Sequence, residues 1–234
     1  MPGVAIVTGG SQGFGLALSR ELVQRGWRVV VDARDGERLA AARAATTSGQ
    51  HLTAVVGDVV DPAHQQELVD TARASGGLDL LVHNASALGP SPQPPLASYP
   101  PADLQRVFAV NVLAPIALTQ RALPLLSRSA APTVVTLSSD AAVEAYAGWG
   151  GYGASKAALD QVAAVLAVEH PDLRVYAFDP GDMRTAMQQQ AFPGEDISDR
   201  PEPGAVVPAL LRLLEQRPPS GRHRAADVAS GEAA

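Results

Sequence analysis

The feature that most constrains the fold is a regular alternation between short apolar runs and longer helical patterns. Continuous apolar runs, rather than alternating ones, are typical of parallel strands buried on both faces. The predicted strands are Val4–Thr8, Arg28–Asp32, Leu52–Val56, Leu78–His83, Thr133–Ser138 and Arg174–Phe178. The predicted helices between them are Gly15–Gly26, Gly36–Thr46, Pro62–Ser75, Ala102–Ser127 and Tyr152–His170. This order predicts one α/β domain over residues 1–234, doubly wound and Rossmann-type, with a parallel sheet of six or seven strands.

Composition narrows the possible partners. Apolar residues make up 46% of the 234 residues and charged residues 18%, so the chain is expected to fold around one core. A net charge of −6 argues against a nucleic-acid partner, which would need a basic face. The absence of cysteine excludes disulfides, thiolate metal sites and a cysteine nucleophile. No metal site is expected, because the histidines lack ligand spacing and are predicted to be surface groups: His51, His64, His170 and His223.

Targeting signals are not expected either. The first residues lead directly into the first strand and leave no room for a signal peptide. No stretch is predicted to be long enough to span a membrane. The sequence therefore predicts a cytoplasmic protein without a membrane partner.

Two irregular stretches interrupt the alternation. Leu88–Pro101 is rich in proline, and Phe192–Pro203 is rich in proline, glycine and acidic residues. Both follow the carboxyl end of a strand, where ligands of such sheets bind, so both are predicted to form the rim of a pocket. Residues 183–203 are expected to form a small substrate lid, and the last few residues of the chain are expected to fray.

A glycine-rich turn follows the first strand and precedes a helix. Glycines at such a turn permit a tight bend and a close approach of the backbone to a pyrophosphate, which then lies at the helix N-terminus. A glycine cluster alone could be an ordinary turn, but this position favours dinucleotide binding. The residues assigned to it are Gly9, Ser11, Gln12, Gly13, Phe14 and Gly15.

Tyr152 and Lys156 form a second candidate group. At a spacing of four residues they lie on one helix face, where an ammonium would lower the pKa of a phenol and fit it for proton transfer to or from a substrate oxygen. In isolation, a structural tyrosine and a surface lysine would be the simpler interpretation. Ser139 at the end of the fifth predicted strand favours the catalytic interpretation, since its hydroxyl can hydrogen-bond the substrate oxygen. Because Pro115 has no N–H, the carbonyl of Asn111 is left without its helical partner.

The spacing TGxxxGxG over Thr8–Gly15 resembles that of the short-chain dehydrogenase/reductase family. Three further motifs agree with it in order: His83–Ser86, similar to the family's NNAG; the set Asn111, Ser139, Tyr152 and Lys156; and Pro180–Thr185, similar to PGxxxT. The resemblance covers about residues 4 to 185, and a looser one points to the sepiapterin-reductase-like branch. His83 and Ser86 depart from the family pattern, and Ser86 adds a side chain beside the expected cofactor.

The resemblance implies roles for these residues. Tyr152 would be the general acid/base, Lys156 would bind the nicotinamide ribose, and the carbonyl of Asn111 would hold a water that leads to Lys156. The remaining residues implied to contact the cofactor are Asp58, Val59, Asn84, Ala85, Pro180, Gly181, Met183 and Thr185.

The choice between NADP and NAD depends on the end of the second strand. An acidic side chain there would repel a 2′-phosphate, whereas an arginine would bind it. Aligned on the glycine-rich turn, the family's acidic position falls at Ala33 and its basic position at Arg34, which favours NADP. A shift of one residue would place Asp32 on the ribose and favour NAD instead.

The sequence therefore predicts an NADP-dependent oxidoreductase that reduces a carbonyl or oxidises an alcohol of a small, largely apolar substrate. The alternatives are an NAD-linked alcohol dehydrogenase and a protein that binds NADP(H) without turnover. The apolar surplus of the helices Ala102–Ser127 and Tyr152–His170 predicts a homodimer or homotetramer. Substrate contacts are expected from Ser86–Leu88, Ala141, Tyr146, Trp149, Met183, Met187 and Phe192.

Overall fold

A computed structural model describes residues 3–230 and contains a seven-stranded parallel sheet. All six predicted strands are present, with ends that differ from the prediction by at most two residues. A seventh strand forms near the C-terminus, which lies within the predicted range of six or seven. The strands are β1 Val4–Val7, β2 Arg28–Ala33, β3 Leu52–Val56, β4 Leu80–His83, β5 Thr133–Leu137, β6 Arg174–Asp179 and β7 Gly221–Arg224.

Helices alternate with these strands as the sequence predicts. The first helix begins two residues earlier than predicted, directly within the glycine-rich turn. The helices are α1 Gly13–Gln24, α2 Gly36–Ala44, α3 Pro62–Ala74, α4 Pro101–Phe108, α5 Ala114–Leu126, α6 Gly150–Glu169, α7 Ala186–Ala191, α8 Pro203–Gln216 and α9 Ala225–Ser230. The fraying expected for the last few residues concerns positions 231–234, outside the described residues.

The order of the strands fixes where a ligand can bind. The sheet runs β3-β2-β1-β4-β5-β6-β7, so the order reverses between β1 and β4. In open parallel sheets the loops at the carboxyl ends of the two strands beside such a reversal diverge to opposite faces and leave a crevice. The turn after β1 and the segment after β4 therefore flank the expected ligand site.

The core lies on both faces of the sheet, as the continuous apolar runs require. On one face, α1 and α8 contribute Leu18, Leu22 and Leu210, which are buried against the strands. On the other face, α3 and α5 contribute Leu68 and Leu118. Burial of this apolar surface fixes the sheet and holds the loops at its carboxyl edge in place.

The expectation that no stretch is long enough to span a membrane is wrong. A π-helical turn, Ala109–Leu113, joins α4 to α5, so that Pro101–Leu126 forms one helical run of 26 residues. By length and composition this run could cross a membrane, contrary to the prediction that no stretch is long enough. However, 56% of its most apolar 18-residue window is buried in the fold, as in the core helix of a parallel α/β domain.

Candidate active site

The glycine-rich turn has the geometry of a cradle at the start of α1. Gly9 and Gly13 adopt φ values of +69° and +55°, which side chains with a Cβ rarely tolerate. A Cβ on Gly15 would lie 2.4 Å from the Asn84 amide nitrogen, and one on Gly10 would lie 2.7 Å from the Val31 side chain. The turn therefore depends on glycine at these positions, and it leaves the first N–H groups of α1 free to meet an anion.

A cavity of about 640 Å³ opens from this turn along the carboxyl edge of the sheet. It contains most residues that the sequence assigns to a cofactor. The predicted residues that line it are Gly9, Ser11, Gln12, Gly13, Phe14, Arg34, Asp58, Val59, Asn84, Ala85, Tyr152, Lys156, Pro180, Met183 and Thr185. Four predicted residues do not line it: Gly15 and Gly181, which support the two turns, and Asn111 and Ser139, which lie beside the catalytic end.

Asn84 connects the two sides of the crevice. Its amide nitrogen donates to the carbonyl oxygens of Thr8 and Gly9 at 2.8 and 3.1 Å. In return, the Thr8 hydroxyl accepts from the backbone N–H groups of Asn84 and Ala85. These contacts lock the end of β1 to the end of β4, where the sheet order reverses.

Asp32 and His64 are both buried. Asp32 lines the cavity, but it is only 2% exposed and both its oxygens are already engaged within the protein, which disfavours the alternative in which it binds the ribose. One oxygen accepts from the backbone N–H of Gly9 at 2.6 Å, and the other lies 3.0 Å from Nε2 of His64. The predicted surface position of His64 is wrong, since only 3% of its side chain is exposed. No local sequence pattern indicates this pair, because its members are 32 residues apart and come from β2 and α3.

The Asp32–His64 pair makes stability depend on pH. The hydrogen bond that the imidazole donates to Asp32 raises the pKa of His64, and burial opposes that rise only in part. A raised pKa in the folded state stabilises the fold fully below the unfolded value of about 6.5, and this contribution is lost as pH rises through the folded value. We expect His64→Gln to lower the free energy of unfolding by about 1 kcal/mol at pH 6 and by less at pH 9, because the glutamine keeps a neutral hydrogen bond but not the charge.

Urea unfolding followed by circular dichroism at both pH values measures this effect. His170→Gln, at a partly exposed position, is the matched control. A His64→Gln deficit that is equal at pH 6 and pH 9 would contradict the ionic role of the pair.

Two arginines stand at the outer end of the cavity. Arg34 follows β2 and is exposed, and Arg38 lies on the first turn of α2. Arg38 donates to the side-chain oxygen of Gln12 at 2.6 Å, and Asp35 caps the same helix by accepting from the backbone N–H of Arg38. The sequence predicts Arg34 but not Arg38. Gln12 and Asp35, the latter at 3.6 Å, hold Arg38 beside the glycine-rich turn, so α2 places a second arginine at this end of the cavity.

Asp58 is held by Arg106, a contact that no sequence pattern predicts. Arg106 of α4 donates to the Asp58 carboxylate at 2.6 Å and lines the same cavity. Although burial raises the pKa of Asp58, the hydrogen bonds from Arg106 and the Val60 N–H outweigh it, so the net shift is downward. Asp58 therefore remains ionised and fixed in position at neutral pH.

Tyr152 and Lys156 are both buried at the inner end of the cavity. Burial raises the pKa of Tyr152 despite the hydroxyls of Ser86 and Ser139, which lower it. Burial also lowers the pKa of Lys156 to about 8. The Lys156 ammonium donates to the backbone carbonyl of Leu137 at 2.6 Å and lies 5.4 Å from the centre of the Tyr152 ring. The expectation that Lys156 lowers the pKa of Tyr152 is thus not met, because the ammonium points to a carbonyl and desolvation of the phenol dominates.

Ser139 lies at the start of the turn that follows β5. Its hydroxyl donates to the Asp140 carboxylate at 2.9 Å and accepts from the backbone N–H of Ala141 at 3.2 Å. Asp140 also accepts from the Tyr146 hydroxyl at 3.0 Å. The hydroxyl is thereby oriented, with its proton toward Asp140.

Asn111 binds through its side chain within the π-helical turn. Its amide nitrogen donates to the carbonyl of Ala87 and to the hydroxyl of Ser155, both at 2.9 Å. Its oxygen accepts from the N–H of Ala87 at 2.7 Å and from the hydroxyl of Ser86 at 3.2 Å. Asn111 therefore ties the segment after β4 to α6 and holds Ser86 beside Tyr152.

An apolar pocket adjoins Tyr152. Leu88 and Ala141 pack against the tyrosine with Trp149, Met187 and Ala191. The Trp149 ring lies 5.8 Å from the rings of both Tyr152 and Phe192. These contacts bring most of the predicted substrate residues together, with α7 covering one side.

Comparison with known proteins identifies the family. The family model described as short chain dehydrogenase matches residues 3–196. The chain belongs to the short-chain dehydrogenase/reductase family. As a member, it is an NAD(P)-dependent oxidoreductase, and its seven-stranded parallel sheet is the fold of that family.

Several relatives cover nearly the whole chain. An uncharacterized oxidoreductase, YciK, from Escherichia coli K12 is 34% identical over 217 residues, which cover 90% of this chain and 85% of the relative. Sepiapterin reductase from Rattus norvegicus is 34% identical over 212 residues, which cover 80% and 77%. A short chain dehydrogenase from Shigella flexneri, solved in complex with NADP, superposes with a TM-score of 0.89 at 31% identity and covers 95% of this chain and 96% of that structure.

Two residues distinguish this short-chain dehydrogenase/reductase from the family's NNAG pattern. His83 is buried, and its Nε2 lies 2.8 Å from the Thr119 hydroxyl. Burial lowers the pKa of His83 to about 3, so the imidazole is neutral and structural. Ser86 instead contacts Asn111 and lies beside Tyr152, so this departure places an additional hydroxyl at the catalytic end of the cavity.

Proposed function

We propose that this protein is an NADPH-dependent reductase that transfers hydride to the carbonyl of a small, largely apolar substrate, with Tyr152 as the proton donor. The observation that carries the proposal is the position of Tyr152, which is buried between the dinucleotide-sized cavity and the apolar pocket. The cavity fits the cofactor because a glycine cradle at the N-terminus of α1 opens into it. Bound NADPH would supply the hydride.

Tyr152 is suited to donate a proton rather than to accept one. Its raised pKa keeps the phenol protonated at neutral pH, which matches reduction, where an oxygen that develops negative charge must receive a proton. The hydroxyls of Ser139 and Ser86 lie beside the phenol. Each would turn its proton from Asp140 or Asn111 to the carbonyl oxygen of the substrate and so hold that oxygen against Tyr152. The same residues would run the reverse reaction at higher pH.

Lys156 would bind the nicotinamide ribose and restore the proton to Tyr152. With a pKa of about 8, its ammonium can lose and regain a proton near neutral pH. A water on the backbone carbonyl of Asn111, which Pro115 cannot engage, would complete the path to solvent.

We infer a preference for NADP over NAD from the charges at the outer end of the cavity. Arg34 and Arg38 would bind a 2′-phosphate, and Asp32, the residue that could have favoured NAD, is engaged by Gly9 and His64. Related structures solved with NADP and NADPH support this choice. An NAD-linked alcohol dehydrogenase is the alternative.

Turnover assays test the function. Oxidation of NADPH and of NADH would be followed by absorbance across uncharged aromatic and aliphatic aldehydes and ketones, and reduction of NADP across the matching alcohols. We expect turnover with NADPH and an apolar carbonyl. Tight binding of NADPH without turnover in either direction would instead support a cofactor-binding sensor.

We also propose a homo-oligomer, a dimer or a tetramer. The helices predicted to carry surplus apolar residues expose Leu113, Val165 and Val168, of which Val168 is 82% exposed. A second copy of the chain would cover this surface. Light scattering at micromolar concentration should give a mass at least twice 24.2 kDa. A single 24.2 kDa species would contradict it.

The cytoplasmic location predicted from the sequence stays a prediction.

A further inference from the structure

A partly buried charge cluster lies directly behind the catalytic residues, with the Arg222 side chain 26% exposed, and the reaction described above does not use it. Arg222 of β7 donates to the Asp179 carboxylate at 2.7 Å and lies 3.2 Å from the Asp160 carboxylate. The same guanidinium donates to the backbone carbonyl of Ser139 at 3.0 Å. Asp160 also accepts from the Ser138 hydroxyl at 2.7 Å. The side chains of Asp160 and Asp179 are 15% and 5% exposed, so solvent screens this cluster weakly.

The cluster joins four elements that hold the active site. Asp160 lies one turn beyond Lys156 on α6, and Asp179 ends β6, where its other oxygen accepts from the N–H of Gly181 at 3.0 Å. Ser139 follows β5, and Arg222 belongs to the strand at the edge of the sheet. One guanidinium thus fixes the catalytic serine's backbone, the turn of the PGxxxT segment and the helix that carries Tyr152 and Lys156.

We propose that Arg222 is a positioning residue of the active site, which neutralises the carboxylates of Asp160 and Asp179 behind Lys156 and holds Ser139 in place. The inference deepens the proposed function and rests on it for the catalytic roles of Lys156 and Ser139. It needs no cofactor in the site to be tested.

Two carboxylates act on the ammonium of Lys156. Asp160 and Asp179 both raise the pKa of Lys156 and oppose the downward effect of burial. Arg222 pairs with both carboxylates, so its removal leaves the carboxylates of Asp160 and Asp179, 15% and 5% exposed, without their cationic partner and next to one ammonium. The pKa of Lys156 should then rise, and the lysine would hold its proton at the pH where it must exchange it.

The charges of Asp140, Asp103 and Arg106, on other elements packed against α6, are engaged elsewhere and do not replace Arg222 beside Lys156. Asp140, in the turn after β5, faces Tyr152 and hydrogen-bonds Ser139 and Tyr146. On α4, Arg106 is paired with Asp58, and Asp103 acts on Tyr99. Among the described residues, Arg222 is therefore the positive group that pairs with the carboxylates next to Lys156.

The sequence offers a direct probe, because Lys156 is its only lysine. Protein labelled with ¹³C at the lysine ε-carbon gives one side-chain signal, whose chemical shift against pH reports the ionisation of Lys156 in the apoprotein. We expect Arg222→Gln to raise the midpoint by about one pH unit, a tenfold gain in proton affinity. Arg224→Gln removes the same charge from an exposed position on the same strand, and it should leave the midpoint unchanged.

Three further variants separate charge from structure. Arg222→Lys retains the charge and should keep the midpoint near that of the wild type, whereas Asp160→Asn should lower it. The double variant Arg222→Gln/Asp160→Asn should return the midpoint toward the wild-type value. In an active wild-type enzyme, Arg222→Gln should also lower kcat about tenfold with little change in the KM for NADPH, since it acts behind the reacting groups.

A folded Arg222→Gln protein with the wild-type midpoint for Lys156 would overturn the inference, as would equal shifts in Arg222→Gln and Arg224→Gln. If Arg222→Gln does not fold, the titration of Asp160→Asn tests the inference instead. An unchanged Lys156 midpoint in Asp160→Asn would overturn the inference. The NMR titration is independent of turnover, so a failure of the proposed reaction would appear in the assays and leave this measurement unaffected.

Discussion

Replacement of Tyr152 by phenylalanine should lower kcat by about 10³-fold, within the range of general acid catalysis, and leave the dissociation constant of NADPH within about twofold of wild type. The substitution removes only the phenolic hydroxyl. The ring, which packs against Leu88, Ala141 and Trp149, is retained. Steady-state kinetics and fluorescence titration with NADPH measure the two effects separately.

Tyr176→Phe is the matched control. Tyr176 is buried like Tyr152, but it does not line the cavity, and its hydroxyl donates to the backbone carbonyl of Pro218 at 2.9 Å. We expect it to retain most of kcat. A Tyr152→Phe enzyme with most of its kcat would remove Tyr152 from proton transfer and leave the surrounding hydroxyls of Ser86 and Ser139 as the remaining candidates.

Replacement of Arg34 by alanine should weaken NADPH binding by about 1.5–3 kcal/mol, the value of a charge-assisted hydrogen bond, which corresponds to roughly 10- to 150-fold in Kd. NADH lacks the 2′-phosphate, so its Kd should change little. Calorimetric titration of both cofactors into both proteins measures the difference.

Arg43→Ala serves as the control for Arg34→Ala, since Arg43 is an exposed arginine farther along α2 that does not line the cavity. It should leave both affinities unchanged. Tighter binding of NADH than of NADPH by the wild type, or an equal loss for both cofactors in Arg34→Ala, would contradict the assignment of Arg34 as the 2′-phosphate ligand.

The sequence predicted the features that local patterns encode. The apolar runs of β1, β4 and β5 are buried on both faces of the sheet, and such runs have few other stable placements. The glycine-rich turn is equally predictable from the sequence, because the positive φ angles at Gly9 and Gly13 favour glycine. These elements determine the fold and the location of the cavity.

Strand β7 cannot be predicted from the hydrophobic pattern of the sequence. Its residues Gly221–Arg224 contain no aliphatic side chain, and the propensity signal for a strand is therefore absent. The strand forms because pairing with the edge of β6 satisfies the backbone N–H and C=O groups of both strands. The sequence alone does not reveal that this edge is available.

Long-range charge pairs were missed for a related reason. Asp32 and His64 are 32 residues apart, and Arg222 lies 62 residues from Asp160. No spacing rule connects such residues, because the sheet order brings them together. The same limit explains Arg106, whose contact with Asp58 depends on how α4 lies beside the end of β3.

Transfer of deuterium from the cofactor to the substrate tests the central claim most directly. NADPH that carries two deuterium atoms at the reactive carbon of its nicotinamide would be mixed with the wild-type enzyme and the best apolar carbonyl from the assays, and the alcohol would be analysed by mass spectrometry. We expect one deuterium on the former carbonyl carbon for each cofactor oxidised, and we expect the rate of this transfer to fall about 10³-fold in Tyr152→Phe. An alcohol that contains no deuterium, or transfer at the wild-type rate in Tyr152→Phe, would contradict the account.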